Sequence, residues 1–386
     1  MAHRTTRHLA ILAALALVAC SGSSSEPGGA AGQGGSAGNA GTGGGAGSGG
    51  SAGSSGTSAT GGTAGSGGGG GTGGSGGGTD GSGGTGGSGG TGGSGGGTGG
   101  SGGVANCAAA RHTPGGPDAW GGCWPGPDNT GVPAGTVLTP YTGPCLVTAN
   151  GTVIDSKTID CDLRIQAANV SITRSKINGS VATDENSTGY SFSISDSEVD
   201  VGDRAGTGIG AVNFTATRVH VRGGNRSIHC WHDCTVTDSY AHGQFTDPSG
   251  TAHESAMRMG QSATFRHNTV ICDAPDVPPD GGCSADLTGY GDFGPVQNNT
   301  IDRNLFGATT GGYCTYGGSS KGKPYSDQTN HIVFTSNVWQ RGNRASDHGD
   351  YVCGYYGSNT SFDPALPGNV WTDNTFDDGA PVASSN

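Results

Sequence analysis

The chain has 386 residues, 82 of them glycine, and carries a formal net charge of −12. An acidic chain without a basic run excludes nucleic acid as the expected partner, because neutralising phosphates takes clustered lysine and arginine. An anionic sugar stays open, since a local basic cluster can hold one, and the tract that contains most of the glycine cannot contribute to a core.

His3, Arg4, Arg7 and His8 make a positive start, and Leu9 to Val18 a short apolar run, which is the pattern of an export signal. The run of about ten residues is too short to span a bilayer as a helix. It ends in Leu17-Val18-Ala19-Cys20, which resembles a bacterial lipoprotein box. That resemblance implies a signal peptide over residues 1–20 and a lipid on Cys20. The protein would then be held at the cell surface by its N-terminal lipid, with Ser21 favouring the outer membrane where a cell has one. Ordinary secretory cleavage, with Cys20 a bystander, is the alternative and gives an extracellular protein.

Eleven cysteines are present, and setting Cys20 aside leaves ten. Export with an even count reads as disulfides. No C-x2-C pair offers a zinc site, and Cys230-x3-Cys234 has no matching partner pair. The short-range pairing is Cys107–Cys123, Cys145–Cys161, Cys230–Cys234 and Cys272–Cys283, with Cys314–Cys353 joining adjacent repeats; spacing alone does not fix connectivity.

Residues 21–103 are Gly/Ser/Thr/Ala low complexity with almost no apolar side chains. Such a segment cannot offset the entropy of ordering, so it reads as a disordered Gly-rich tether. Flexible-coil scaling gives it a reach of roughly 50 Å. A collagen-like fibre is excluded by the lack of a strict G-X-Y period.

The folded region spans residues 104–386. Its entry, Cys123 to Thr136, is dense in turn residues, with Trp124, Val132 and nearby Val137 as apolar anchors. From Thr152 onward one skeleton recurs: an apolar residue, two polar ones, a small amide or hydroxyl residue, a spacer, and an apolar residue. It appears at Ile172/Ser175/Ile177, Ile194/Ser197/Val199, Phe214/Thr217/Val219, Phe265/Asn268/Val270, Ile301/Asn304/Phe306, Phe334/Asn337/Trp339 and Trp371/Asn374/Phe376, with Val236/Ser239/Ala241 a weaker copy. The period is about 20–22 residues early and about 29–37 later, the mark of stacked supersecondary units. Each unit places two short strands around a corner. A third strand precedes them, with Leu163–Ile165, Ile228–Cys230, Ala256–Arg258, Ala285–Leu287 and Tyr351–Cys353 fitting that place. Asn and Ser at the corner tolerate left-handed backbone and can stack into a hydrogen-bonded ladder. A β-sandwich is the alternative, but it would not keep an Asn/Ser column in one phase.

Over roughly residues 120–380 the entry segment and the repeats resemble secreted bacterial right-handed parallel β-helix proteins of the pectate-lyase-like group. The resemblance implies an all-β solenoid, an N-terminal capping segment over its open first rung, and a polysaccharide partner. Because this fold hosts lyases, hydrolases, esterases, epimerases and adhesins, function has to come from a site. A monomer is expected.

Six of the eleven histidines, His220, His229, His232, His242, His253 and His267, fall in one segment. With Met257 and Met259 pointing inward, alternation turns Arg258 outward; one rung earlier Ile228 and Cys230 point inward and His229 outward. His229 and Arg258 are then neighbours, with the Gln244–His253 loop expected to overhang them. Relatives in the group carry a His-x-Asp-Gly-Ile-Gln-like run entering this strand, which here reads His253-Glu254-Ser255-Ala256-Met257-Arg258; Ser255 replaces the Asp and Arg258 the Gln. The cluster suits β-elimination on a uronic-acid polysaccharide. Arg258 would clamp the carboxylate. His253, or else His229, would take the α-proton, with His242 and Glu254 further candidates. Trp231, Asp247, Arg222, Arg226 and Tyr351 are candidates for substrate binding. The resemblance also implies Ca²⁺ as a clamp, with Asp247, Glu254 and Asp233 as oxygen ligands.

A second constellation lies in the late loops: Lys321, Lys323, Tyr325, Asp327, Arg344, Asp347, His348, Asp350 and Tyr351, where Lys321 could act as base and Tyr325 as acid. Tyr313, Tyr316, Tyr355 and Tyr356 can stack on sugars or pack the later rungs. Hydrolysis needs two carboxylates about 5–5.5 Å or 6.5–9.5 Å apart on one groove, such as Glu254 with Asp247 or Asp286. A non-catalytic glycan-binding or adhesive surface protein is the alternative of a different class.

Overall fold

The computed structural model describes residues 106–342 and 353–386. The export signal, Cys20, the Gly-rich tether, and Arg344, Asp347, His348, Asp350 and Tyr351 lie outside the described residues.

Short strands with alternating burial build the fold. In Val170–Thr173, Val170 and Ile172 are buried while Ser171 and Thr173 face outward. The next rung repeats the pattern at Phe192–Ser195, in parallel register, with Val170 opposite Phe192 and Ile172 opposite Ile194. Parallel pairing continues through two sheets of ten and sixteen strands. The larger sheet holds two faces of the solenoid, joined where Arg226–Thr237 and His253–Arg266 run continuously around a corner. The result is a parallel β-helix with a single column of apolar side chains along its axis, from Val147 to Val382.

The expected ladder is present. Asn268 Nδ2 donates to Asn304 Oδ1 (2.9 Å), Asn304 to Asn337 (3.0 Å) and Asn337 to Asn374 (3.0 Å). Each amide also donates to a carbonyl: Val236, Phe265, Ile301 and Phe334 in turn. In the earlier rungs serine takes the position, with the Lys157 amide donating to Ser175 and the Ser175 amide to Ser197. All these side chains are buried, so each bond is protected from water and contributes about 1 kcal/mol.

Two expectations are corrected here. The first concerns Phe214/Thr217/Val219, which is out of phase by two residues. Ala216 pairs with Ile194 and Val221 with Val199, so Val219 occupies the ladder position and interrupts it. Thr217 sits beside Thr237 on the outer side instead. The second concerns the corner. The left-handed residue is the one before the ladder residue: Arg174, Asp196, Arg218, Asp238, His267, Arg303, Ser336 and Asp373 all have φ between 46° and 54°. The ladder asparagine satisfies the corner backbone, and its predecessor takes the strain.

Trp124 is fully buried against Leu305 and Val338, whereas Val137 is 81% exposed and anchors nothing. The entry segment runs along the outside of the ten-stranded sheet. His112 O accepts from Gln340 Nε2, Asp118 meets His267, and the Gly131 amide donates to Arg218 O. At the first rung Tyr141 packs on the core, and at the far end Ala380 and Val382 close it. All five expected disulfides are formed. Of the expected third strands, the one at Tyr351–Cys353 lies largely outside the described residues; the described strand that pairs with Tyr313–Tyr316 is Gly357–Thr360.

Candidate functional site

The register places His229 opposite Arg258, and Arg258 opposite Thr288. Met257 and Met259 are buried on either side of Arg258, so alternation sends the guanidinium to the outer face. There it meets a wall made by the loop after Gly282–Thr288. Arg258 pairs with Asp292, and its guanidinium lies over the rings of Tyr290 (5.5 Å) and Phe293 (5.4 Å). Trp231 stands edge-on to His229 at 5.9 Å and packs against Gly294. These groups enclose a narrow cleft of about 10 Å³, room for about one water.

His229 Nε2 is buried and has no hydrogen-bond partner among the described residues. Burial, with the positive charges of Arg226 and Arg258 nearby, holds its pKa well below the ordinary 6.5, so the imidazole is neutral at neutral pH. Tyr290 hydrogen-bonds with Ser284. Burial pushes its phenol up despite the opposing pull of Arg258 and Arg226, so it keeps its proton. The arrangement therefore offers cations, a neutral acceptor and a phenolic donor within one aromatic-walled cleft.

The other sequence candidates lie elsewhere. His253 is five residues before Arg258 on the same strand, about 16 Å away. Its side chain is 54% exposed and faces Asp280 (3.4 Å). His242 is on the ten-stranded sheet side, 2.7 Å from His220 and stacked on Tyr240. Arg222 is on that side too, paired with Glu198 and Asp200. The Gln244–His253 loop does not overhang the cleft. Gln244 is buried and donates to Ser227 and to Ile271 O. Lys321 and Lys323 line a separate depression with Asp327 and Asn386. Tyr325 touches the cleft wall through its backbone, its amide donating to Gly291 O.

The expected Ca²⁺ ligands do not form a set. Asp247 is held in its own loop, accepting from Ser249, Thr251 and Ala252. Glu254 is buried, and burial raises its pKa to about 7 against the opposing backbone amides of Glu254 and Gly282. Asp233 pairs with His232. Among the described residues the one group of three metal-type ligands is Asp286 with Cys314 and Cys353, and the two sulfurs are bonded to each other. Asp286 and Glu254 are both buried, so neither supplies a carboxylate to an open groove.

Tyr290 and Asp292 in the cleft, and Phe293 against Arg258 at its edge, are residues that sequence reasoning did not single out. Their signal was the run Gly289-Tyr290-Gly291-Asp292-Phe293-Gly294, a turn-rich loop carrying two aromatics. Gly291 adopts φ +66°, and a Cβ there would crowd the Ser326 amide at 3.2 Å, so glycine lets this wall close without displacing the next loop.

Set against known protein families, curated proteins and solved structures, the chain matches none.

Proposed function

We propose that this β-helix is a pectate-lyase-like protein that cleaves an acidic, uronic-acid polysaccharide by β-elimination. One observation carries the reading: the neutral, unpartnered Nε2 of His229 lies beside the charges of Arg226 and Arg258 and next to the proton-bearing phenol of Tyr290. Because the cleft as it stands admits about one water, the Gly289–Gly294 wall has to draw back for a uronate carboxylate to reach Arg258, whose guanidinium lowers the cost of charge developing on the α-carbon. His229 Nε2 takes the α-proton. The electron pair forms the ring double bond beside the carboxylate, and the glycosidic C–O bond breaks. The leaving oxygen takes its proton from Tyr290. His229 replaces His253 as the base because His253 lies at the far end of the strand.

Hydrolysis is disfavoured because Glu254 and Asp286 are buried and Asp247 is engaged, which leaves Asp292 as the one carboxylate lining the cleft. The Arg258–Asp292 pair gives a non-catalytic glycan-binding role a specific observation of its own, since binding alone needs neither partner to move. The five disulfides and the N-terminal pattern support an exported, surface-held protein.

The full chain is incubated with pectate, alginate, glucuronan and glycosaminoglycans, following the ultraviolet absorbance of an unsaturated product. A rise that His229→Ala abolishes is the expected result. New reducing ends without absorbance would mean hydrolysis, and retention of a polymer without either would mean binding only. Either outcome overturns the lyase assignment.

A further inference from the structure

From the Arg258 cleft a line of tyrosine rings leads across the later rungs. Tyr290 and Tyr316 are 4.7 Å apart, Tyr316 and Tyr313 5.8 Å, Tyr313 and Tyr356 5.7 Å, and Tyr356 and Tyr355 4.5 Å. The line starts under Arg258 and ends at the pair Tyr356 and Tyr355, with Tyr356 72% exposed. At that end lies a cavity of about 420 Å³ whose lining includes His253, Asp276, Pro278, Pro279, Asp280 and Tyr356. The size is that of a site for a small molecule or a sugar unit or two.

The two ends differ in charge. The cleft carries Arg258 against Asp292, with the charge of Arg226 felt at His229. The distal cavity is lined by Asp276 and Asp280 and by neither Lys nor Arg. His253, facing Asp280, is the one cationic candidate there, and it is a histidine. A carboxylate placed within a few ångströms of Asp280 meets repulsion on the order of 1 kcal/mol in a wet site. An uncharged sugar does not, and its CH face can lie on the exposed ring of Tyr356. A homopolyuronate puts a carboxylate on every unit and so meets the acidic end. A polymer that spaces its uronates with uncharged sugars can put each kind where it fits.

Building on the acidic-polysaccharide reading, we infer that the face carrying these two pockets is selective for a heteropolysaccharide, with a uronate at Arg258 and an uncharged sugar on Tyr356 beside Asp280. Tyr356, with Tyr355 beside it, is thus the platform of a distal binding subsite, and Asp276 and Asp280 are its specificity determinants against homopolyuronates.

The test is affinity electrophoresis of the full chain at fixed ionic strength against two probes of matched length, hyaluronan, in which glucuronate alternates with an uncharged amino-sugar derivative, and polygalacturonate. The expected result is tighter retention by hyaluronan, by about tenfold or more. Tyr356→Ala should lose most of that preference by weakening hyaluronan retention. Because the ring is largely exposed, this truncation spares the fold. Asp280→Asn should narrow the gap from the other side by improving polygalacturonate retention. Equal or tighter retention by polygalacturonate overturns the inference while leaving the acidic-polysaccharide reading intact. Retention by neither polymer overturns both, and an unchanged hyaluronan-to-polygalacturonate ratio in both variants overturns the subsite assignment alone.

Discussion

His229 and Arg258 occupy directly opposed positions in neighbouring parallel strands, so the imidazole and the guanidinium share one outer face. Position on a rung, rather than proximity in sequence, decides which of the many histidines can take part in the proposed chemistry.

Removing either partner should therefore be costly to activity. His229→Ala and Arg258→Ala are each expected to lower kcat/KM by about 10²–10⁴-fold. Arg258→Lys should recover little, because a point charge does not reproduce the planar guanidinium between Tyr290 and Phe293. His253→Ala should change the rate on short oligomers less than threefold or so, given its distance of about 16 Å. Initial rates on a defined uronate oligomer decide this, and a large loss in His253→Ala would return the base to that residue.

The ladder makes a sharp stability contrast. Asn304→Ala leaves the buried Asn268 amide without its acceptor and Phe265 O without its donor, and should cost about 2–4 kcal/mol. Thr217→Ala touches no ladder bond and should stay within about 0.5 kcal/mol. Equilibrium denaturant unfolding of the two variants measures this. A large loss in Thr217→Ala would put Thr217 back in the column.

Glu254 gives the fold an unusual pH response. Its folded pKa, about 7, lies above the ordinary 4.5, so the folded state holds the proton more tightly than the unfolded chain. The contribution is fully present below about pH 4.5 and is lost as pH rises through about 7. At roughly 1.4 kcal/mol per unit it amounts to about 3 kcal/mol. Asp286, also pushed up by burial, acts in the same direction. His220 acts oppositely: burial lowers its pKa to about 4, so its contribution is lost as pH falls from about 6.5 toward 4. Melting curves of the wild type and Glu254→Gln across pH 5 to 8 should differ in slope, with the variant flatter. Parallel curves would show that Glu254 does not titrate in this range.

The disulfides should rank by the loop each one closes. Cys314–Cys353 spans 39 residues and Cys230–Cys234 only 4. On the loop-entropy account the longer loop stabilises by about 2 kcal/mol more. Paired Cys→Ala variants of each, compared by unfolding free energy, check this. The reverse order would mean that packing around Cys230, rather than chain entropy, dominates.

Much of the fold was legible because its repeat is enforced twice, by apolar residues that must point inward and by an amide column that must stay in phase. Where one of the two failed, so did the reading. The Phe214 rung has a valine at the ladder position, and matching on the polar Thr217 shifted it by two residues. At the site, alternation was enough to bring His229 and Arg258 together. It could not locate His253, because the register shifts between Glu254 and Ser255 and a strand carries residues apart by about 3.3 Å each. Tyr290 and Asp292 were not found because a loop has no period to read. The docking of Trp124 on Leu305 and Val338 left no local trace at all, since its partners are far along the chain.

That docking has a consequence for how the molecule assembles. A solenoid normally propagates unit by unit, each rung needing only its predecessor. Here Asp118 waits for His267, and His112 waits for Gln340, at separations of 149 and 228 residues. Synthesised first among the folded residues, the entry segment finds its surface last. It fastens early and late rungs together, so fraying at the C-terminal rungs must release the beginning of the domain as well. Such long-range closure slows folding, and it replaces piecemeal unravelling with a more nearly all-or-none transition.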